Sequence, residues 1–160
     1  MEYKLQKDNI FNYIFMSSSY RDINSYPQVN KYCFEFRRIT NLIKIKLDKV
    51  YLPKTIGLLD YGVIFLNLDS GTNASRFISK NNYKTLTFPL YLENLSTSEF
   101  YIGKSDTPIY LESAQDMQKF SIEFVDINGN LIDFGELPGD ITNLSQNYIS
   151  LELESIPQDF

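Results

Sequence analysis

Two runs of alternating apolar and polar residues follow one another between Tyr32 and Pro53, in the stretch YCFEFRRITNLIKIKLDKVYLP. A period of two is typical of β-strands that bury one face and leave the other in solvent. The stretch therefore predicts two successive strands, 32–37 and 42–52, and the proline ends the second because it cannot donate to a ladder.

The same period recurs along the rest of the chain. Further strands are predicted at 11–16, 63–68, 86–92, 100–102, 109–111, 120–124, 130–134 and 149–153. Pro89 indicates a sheet edge or a bulge. Asn128 and Gly129 are the residue types of a type I′ turn, so we expect a hairpin there. Segment 69–84 is polar, contains Gly71 and is predicted to be a long surface loop.

Strands without long helices between them define the expected fold class. Helical candidates are short, for instance 113–118. We predict an all-β fold, an antiparallel two-sheet sandwich of the single jelly-roll type, in one domain. Its parts are an N-terminal arm with a leading strand (1–30), a jelly-roll domain (31–154) and a C-terminal tail (155–160). We expect the domain to fold without the arm.

The net charge of −5 is unevenly distributed. Residues 1–54 carry 10 Lys+Arg and 5 Asp+Glu, whereas residues 55–160 carry 5 and 15. The acidic total opposes non-specific binding to nucleic acid. Three interpretations of the basic part stay open: a solvated outer face of the strands, a nucleic-acid surface, or a patch that complements an acidic patch on a neighbouring copy.

Few residues are suited to catalysis or metal binding. Histidine is absent, which excludes His-dependent triads and the commonest zinc sites. The single cysteine, Cys33, lies in a strand pattern and has no disulfide partner within the chain. No glycine opens a helix after a strand, as a phosphate-binding loop requires. We expect no enzymatic activity, no cofactor and no metal, and the lack of an 18-residue apolar run predicts no membrane span.

Two other functions are compatible with a β-sandwich. A glycoside hydrolase needs two carboxylates across a cleft, and Glu93, Asp126, Asp133 and Glu152 are available. Their positions match solvated strand faces, which favours a non-catalytic role. A receptor or glycan site could use some of the 12 tyrosines, although most fall in strand patterns where packing explains them.

Several segments, taken in order, resemble one known family. They lie within 17–135 and read SSSYRD, YPQVNKYCFEF, NLIKIKLDKVYLPKT, GVIFLNLD and FSIEFVDINGNLIDFG. A Ser-x-x-x-Arg-Asp opening, a Tyr-Pro loop, an alternating strand and a second strand ending in Leu-Pro resemble the single jelly-roll capsid proteins of large double-stranded DNA viruses and their virophage relatives.

The resemblance implies a structural protein of the virion that is made in the host cytoplasm. It implies a penton protein that forms homopentamers at icosahedral vertices, and the short chain favours this role. The alternative is a minor capsid or cement protein that contacts the major capsid protein and other minor capsid proteins. Pentamers close by head-to-tail contacts between two different patches. The interface candidates are Arg21, Asp22, Arg37, Arg38, Lys44, Lys46, Arg76 and Phe77.

Overall fold

The computed structural model describes residues 8–55, 57–70 and 85–158. Within these residues the protein has seven antiparallel strands: β1 (Ile10–Ser17), β2 (Lys31–Pro53), β3 (Ile64–Asp69), β4 (Thr85–Glu93), β5 (Phe100–Lys104), β6 (Ile109–Val125) and β7 (Tyr148–Ser155). The described helical segments are three single 3-10 turns. The predicted all-β antiparallel class is confirmed.

The strands form one continuous sheet that closes on itself. Their order is β1-β7-β2-β5-β4-β3-β6, and β6 also pairs with β2. Both edges of β2 are used, because its first half pairs with β6 and its second half lies between β7 and β5. The sequence predicted two separate sheets. The structure joins the two halves through β2, which is long enough to belong to both.

One hydrophobic core fills the space inside the sheet. Alternate residues of the strands are buried in it, as in β3 and β7, where every second side chain points inward. Its largest members include Tyr32, Phe88, Phe120, Phe124 and Phe134. The period-two pattern thus identified the buried faces correctly. Removing apolar surface from water contributes about 25 cal/mol per Å² to the free energy of folding. This core is therefore the main source of the protein's stability.

The two strands predicted at 32–37 and 42–52 are a single strand, β2. Register shifts relative to β6 between Glu35 and Lys44 bend it where the sequence suggested a break. Asn41 lies in this region with φ 55°, a left-handed conformation that asparagine tolerates better than most residues. Bulges therefore provide a change of direction that the sequence analysis assigned to a loop.

The turn predicted at Asn128-Gly129 is present, but it is of a different type, and in place of the predicted return strand 130–134 there is a single bridge between Val125 and Leu131. A type I′ turn needs positive φ at both central residues, and among the described residues other than glycine only Asn41 has one. Gly129 alone is left-handed, with φ 81°, and its N–H donates to Asp126 O over 3.0 Å. The Asp126 carboxylate accepts from the N–H groups of Asn128 and Asn130, which favours this wider turn.

Strands also occupy two segments for which other structure was expected: 113–118 and part of the arm 1–30. Segment 113–118, a helical candidate, lies inside β6, where an irregular register places extra residues opposite the β2 bend. The expected arm 1–30 is part of the domain from β1 onward, because all eight residues of β1 pair with β7 and Met16 is fully buried. Most of the loop predicted at 69–84 falls outside the described residues.

Four connections meet at one end of the sheet: 18–30, 57–63, 94–99 and 126–147. They are tied to one another by hydrogen bonds, such as Tyr61 Oη with the N–H of Asp133 at 3.2 Å and Lys54 Nζ with Leu95 O at 2.8 Å. The start of β1 and the end of β7 lie at the opposite end, where Ile10 is opposite Ser155.

Candidate interaction surface

An open cleft of about 720 Å³ lies between β1 and the first half of β2. Among the described residues, both strands present an unpaired edge there, because β1 pairs only with β7, and over residues 31–41 β2 pairs only with β6. Unpaired strand edges carry free N–H and C=O groups and are templates for pairing with another chain. We call this recess the β1–β2 cleft.

The floor of the β1–β2 cleft is apolar and its rim is charged. Ile14, Phe34, Phe36 and Ile39 line it and are half-buried against the core. Phe36 also packs on Phe120, with ring centroids 5.3 Å apart. The rim carries charged side chains of both signs: Glu35, Arg37 and Arg38. An apolar floor with a polar rim is typical of a protein–protein contact.

A row of aromatic side chains crosses the outer face of the sheet beside the cleft. On β1, Phe11, Tyr13 and Phe15 are 51%, 71% and 58% exposed. The row continues across the sheet through stacked or edge-on contacts of 5.6 to 6.3 Å, from Phe15 to Tyr148, Phe100 and Tyr51. We call these six residues the aromatic row. Such a patch on a solvent face marks a binding surface.

Arg37 and Arg38, predicted as interface residues, both lie on the rim of the cleft. Arg37 is exposed, and no ion pair joins it to any described residue. Arg38 instead forms a short ion pair with Asp116. The hydrogen bond from Arg38, followed by one from the N–H of Asn41, holds the pKa of Asp116 below its usual value. Arg37 is therefore the freer of the two cations for a contact with another molecule.

Two further basic candidates, Lys44 and Lys46, lie on the outer face of β2, away from the cleft. Lys44 is half-buried, 3.6 Å from a carboxylate oxygen of Glu154, and its Nζ lies 5.4 Å from the centre of the Tyr110 ring. It is thus bound within its own chain, so a charge reversal there would disturb the fold before any interface. Lys46 is exposed and opposite Glu152 on β7.

Some of the basic residues of the first third form ion pairs with acidic residues of the remainder inside a single chain. Lys31 with Glu123, Arg38 with Asp116 and Lys44 with Glu154 each join the basic first third to the acidic remainder. Opposite charges on neighbouring strands help to fix register. The asymmetry expected to act between copies therefore also acts inside the described chain.

Arg21, also predicted at an interface, is 5% exposed and holds the loops together. All five of its N–H groups donate within the chain: to Tyr26 O, Ser18 O, Gln146 Oε1, Pro27 O and Asp140 O, over 2.8 to 3.1 Å. Burial lowers its pKa, against the opposing effect of Glu136 and Asp140. We assign it a structural role in place of the interface role expected from the sequence.

A buried polar network continues from this arginine into the core. The Tyr32 hydroxyl donates to Asn147 Oδ1 over 2.6 Å, and Asn147 Nδ2 donates to Val29 O over 2.8 Å. Burial raises the pKa of the Tyr32 phenol. Ser18 completes the network by donating to Gln146. These contacts hold the SSSYRD segment against the residues that precede β7. The alternating pattern of the sequence could not indicate this contact, because the two segments are far apart in the chain.

Three predicted interface residues remain: Asp22, Arg76 and Phe77. Asp22 is exposed, and hydrogen bonds from Ser25 Oγ and the N–H of Asn24 lower its pKa while shaping the turn. It stays available at the surface. Arg76 and Phe77 lie outside the described residues.

The carboxylates considered for catalysis are dispersed. Glu93 pairs with Lys104, Asp126 caps the hairpin turn, Asp133 accepts from the N–H of Gly135, and Glu152 lies on β7 opposite a lysine. No pair of them faces across a cleft among the described residues. Nor do described His, Cys, Asp or Glu side chains form a group of three or more that could hold a metal ion.

Searches for related proteins gave no match: no protein-family model and no curated protein is similar to this sequence. In the described residues no helix is long and apolar enough to cross a membrane. The cleft and the aromatic row were not recognised from the sequence. Alternation gave the faces of β1, but whether its outer face and its edge are covered depends on tertiary packing.

Proposed function

We propose that the chain is a structural subunit of a virus shell: a single jelly-roll protein that assembles with copies of itself into a homopentamer at icosahedral vertices. In this role it contacts the major capsid protein and other minor capsid proteins, and it resides in the virion. The proposed protein works by docking and carries out no reaction.

The order of strand pairing is the observation that carries the proposal. With the halves of β2 counted separately, β1, β7, the second half of β2 and β5 form one run of four strands. The first half of β2, β6, β3 and β4 form the other. Two four-stranded layers connected in this order support a jelly roll. The segments that resemble capsid proteins supply β2, β3, β6 and their turns.

The surface is also suited to assembly. A cyclic pentamer needs two different patches on each copy, because its contacts are head-to-tail. The β1–β2 cleft offers one patch with free strand edges and an apolar floor. The end that carries loop 126–147 is rich in acidic side chains, among them Asp22, Asp60, Asp126 and Asp133, and offers a chemically distinct patch.

The test is the mass of the purified full chain across a wide range of protein concentration, measured by native mass spectrometry. We expect a species of five copies of 18.7 kDa, about 94 kDa. A chain that stays monomeric at every concentration, yet binds the shell as a single copy, would support the minor capsid or cement role instead. A chain that is monomeric and binds no shell component would refute both roles.

The aromatic row favours a second candidate, a receptor- or glycan-binding sandwich. Exposed aromatic rings stack on sugar faces, and Tyr13 is the most exposed member of the aromatic row, at 71%. The test is binding of the isolated chain to a glycan array. If this role is correct, Tyr13→Ala abolishes binding, whereas Tyr91→Ala, at a tyrosine on β4 with 65% exposure, leaves it unchanged. An array without signal excludes this candidate for the glycans displayed.

A further inference from the structure

The β1–β2 cleft has the shape and chemistry to accept one additional strand. Over residues 31–37 β2 alternates between side chains on the cleft floor, Phe34 and Phe36, and exposed charges, Glu35 and Arg37. The opposite edge of this segment pairs with β6, and no other described strand pairs with the edge at the cleft. An occupant must therefore be extended, with alternating apolar and polar residues and charges opposite to those of the rim.

Residues 1–7 of this chain, MEYKLQK, meet these requirements. Met1, Tyr3 and Leu5 alternate with Glu2, Lys4 and Gln6. Seven residues span about 23 Å when extended, the length of the seven-residue segment 32–38. Glu2 and Lys4 are two residues apart, as are Glu35 and Arg37. In the antiparallel register that matches 1–7 to 32–38, Glu2 lies opposite Arg37 and Lys4 lies opposite Glu35.

The described residues at the start of β1, Asp8 and Asn9, show no turn back toward the cleft of the same copy. The Asn9 side chain donates to Glu154 Oε1 over 2.8 Å, so the chain is tied toward β7, on the side of β1 opposite to its free edge. A two-residue hairpin through Asp8 and Asn9 would need positive φ at Asn9 for type I′ or glycine at the first position for type II′. Asn9 does not have positive φ, and Asp8 is not glycine.

We propose that residues 1–7 of one copy lie in the β1–β2 cleft of a neighbouring copy, as a strand added antiparallel to residues 32–38. Met1, Tyr3 and Leu5 cover the floor formed by Phe34 and Phe36, while the Glu2–Arg37 and Lys4–Glu35 pairs fix the register. The contact joins two different surfaces, residues 1–7 of one copy and the β1–β2 cleft of the next. Such a head-to-tail contact can repeat around a closed ring. This inference rests on the proposed function, since the strand exchange and the pentamer both require contacts between copies. It identifies the β1–β2 cleft as the surface through which those contacts form.

The first experiment removes the segment. A variant lacking residues 2–7 is compared with the full chain by native mass spectrometry, with circular dichroism to verify the β-sheet spectrum. We expect the oligomer of the full chain to be lost while the fold is kept. If the truncated chain keeps the same oligomer, the inference fails and the proposed pentamer stands. If the full chain itself is monomeric at every concentration, both the inference and the pentamer are refuted.

The second experiment swaps the charges of one pair. Arg37→Glu should raise the Kd of the oligomer about tenfold or more, which corresponds to about 1.4 kcal/mol. Adding Glu2→Arg to the same chain should restore assembly, because the pair is re-formed with reversed signs. Lys49→Glu is the matched control: it makes the same change of charge at an exposed position of β2 that lies opposite Ser150, outside the cleft. Loss of assembly in the Arg37 variant without rescue by the second substitution would overturn the pairing.

Discussion

At the scale of single residues, Arg21 has the most connections in the loop region. It lies beside the SSSYRD segment, and its five hydrogen bonds reach carbonyls and an amide from 18–27 and 140–146. The buried acceptors lose their partner if the guanidinium is removed, and an unsatisfied buried polar group costs more than the bond itself contributes. A charged residue that the sequence analysis placed at a surface is thus part of the interior.

We expect Arg21→Met to lower the free energy of unfolding by about 3 kcal/mol or more. The measurement is urea-induced unfolding at neutral pH. Arg37→Met is the control, since this exposed arginine makes no ion pair with a described residue, and its effect should be within about 0.5 kcal/mol. Equal stabilities of the two variants would mean that the loop network contributes nothing.

The Asp116 carboxylate makes a contribution to the stability of the fold that depends on pH. Its pKa in the folded state is lowered by the hydrogen bonds from Arg38 and from the N–H of Asn41. A lowered carboxyl pKa stabilises the fold above the unfolded value of about 3.9, and this stability is lost as the pH falls through the folded value.

Asp116→Asn should therefore lower stability at pH 7 by about 1 kcal/mol and make the decline from about pH 5 to pH 2 less steep. Unfolding curves at several pH values measure both effects. Asp106→Asn provides the control, because this exposed carboxylate has no ion pair or hydrogen bond to a described side chain. If the two variants lose stability equally at every pH, the Asp116 contacts have no role at the β2 bend.

At the scale of elements, the alternating pattern predicted where strands run and which face they bury, as in β7 and β3. It did not predict that β2 is continuous, because bulges depend on the partner strand and not on the period. The turn was foreseen from Asn128 and Gly129, whereas its type is set by the Asp126 side chain.

Of the candidate site, only Arg37 and Arg38 were identified from the sequence. Charge and strand pattern placed them on an outer face, and the structure places them on the rim of the β1–β2 cleft. The cleft itself could not be foreseen, because it depends on which strand edges stay unpaired. The role of Arg21 was missed for a similar reason, since its partners in 140–146 are distant in sequence.

β1 belongs to the folding unit, in contrast to the expected dispensable arm. All eight of its residues pair with β7, and Met16 is 0% exposed in the core. We expect a chain lacking residues 1–17 to lose the cooperative thermal transition that is recorded by circular dichroism, because it loses an edge strand and a core side chain. A truncated chain that still melts cooperatively near the temperature of the full chain would contradict this assignment.

At the scale of the whole molecule, opposite charges act first within the chain and then, in our proposal, between copies. Lys31, Arg38 and Lys44 pair with acids of β6 and β7, while Arg37 stays unpaired among the described residues. Salt screens exposed charges over about 8 to 10 Å at ordinary ionic strength. We expect the oligomer to weaken with rising salt in native mass spectrometry or ultracentrifugation, because the rim pairs are exposed. A salt-independent oligomer would contradict a contribution from charge.

In our proposal, this β-sandwich contacts copies of itself around a fivefold axis. Electron-microscopy averages of the purified full chain would show both the number of copies and their arrangement. We expect closed rings of five sandwiches, with the β1–β2 cleft of each copy facing its neighbour. Single sandwiches at every concentration, or rings in which this cleft faces solvent, would contradict it.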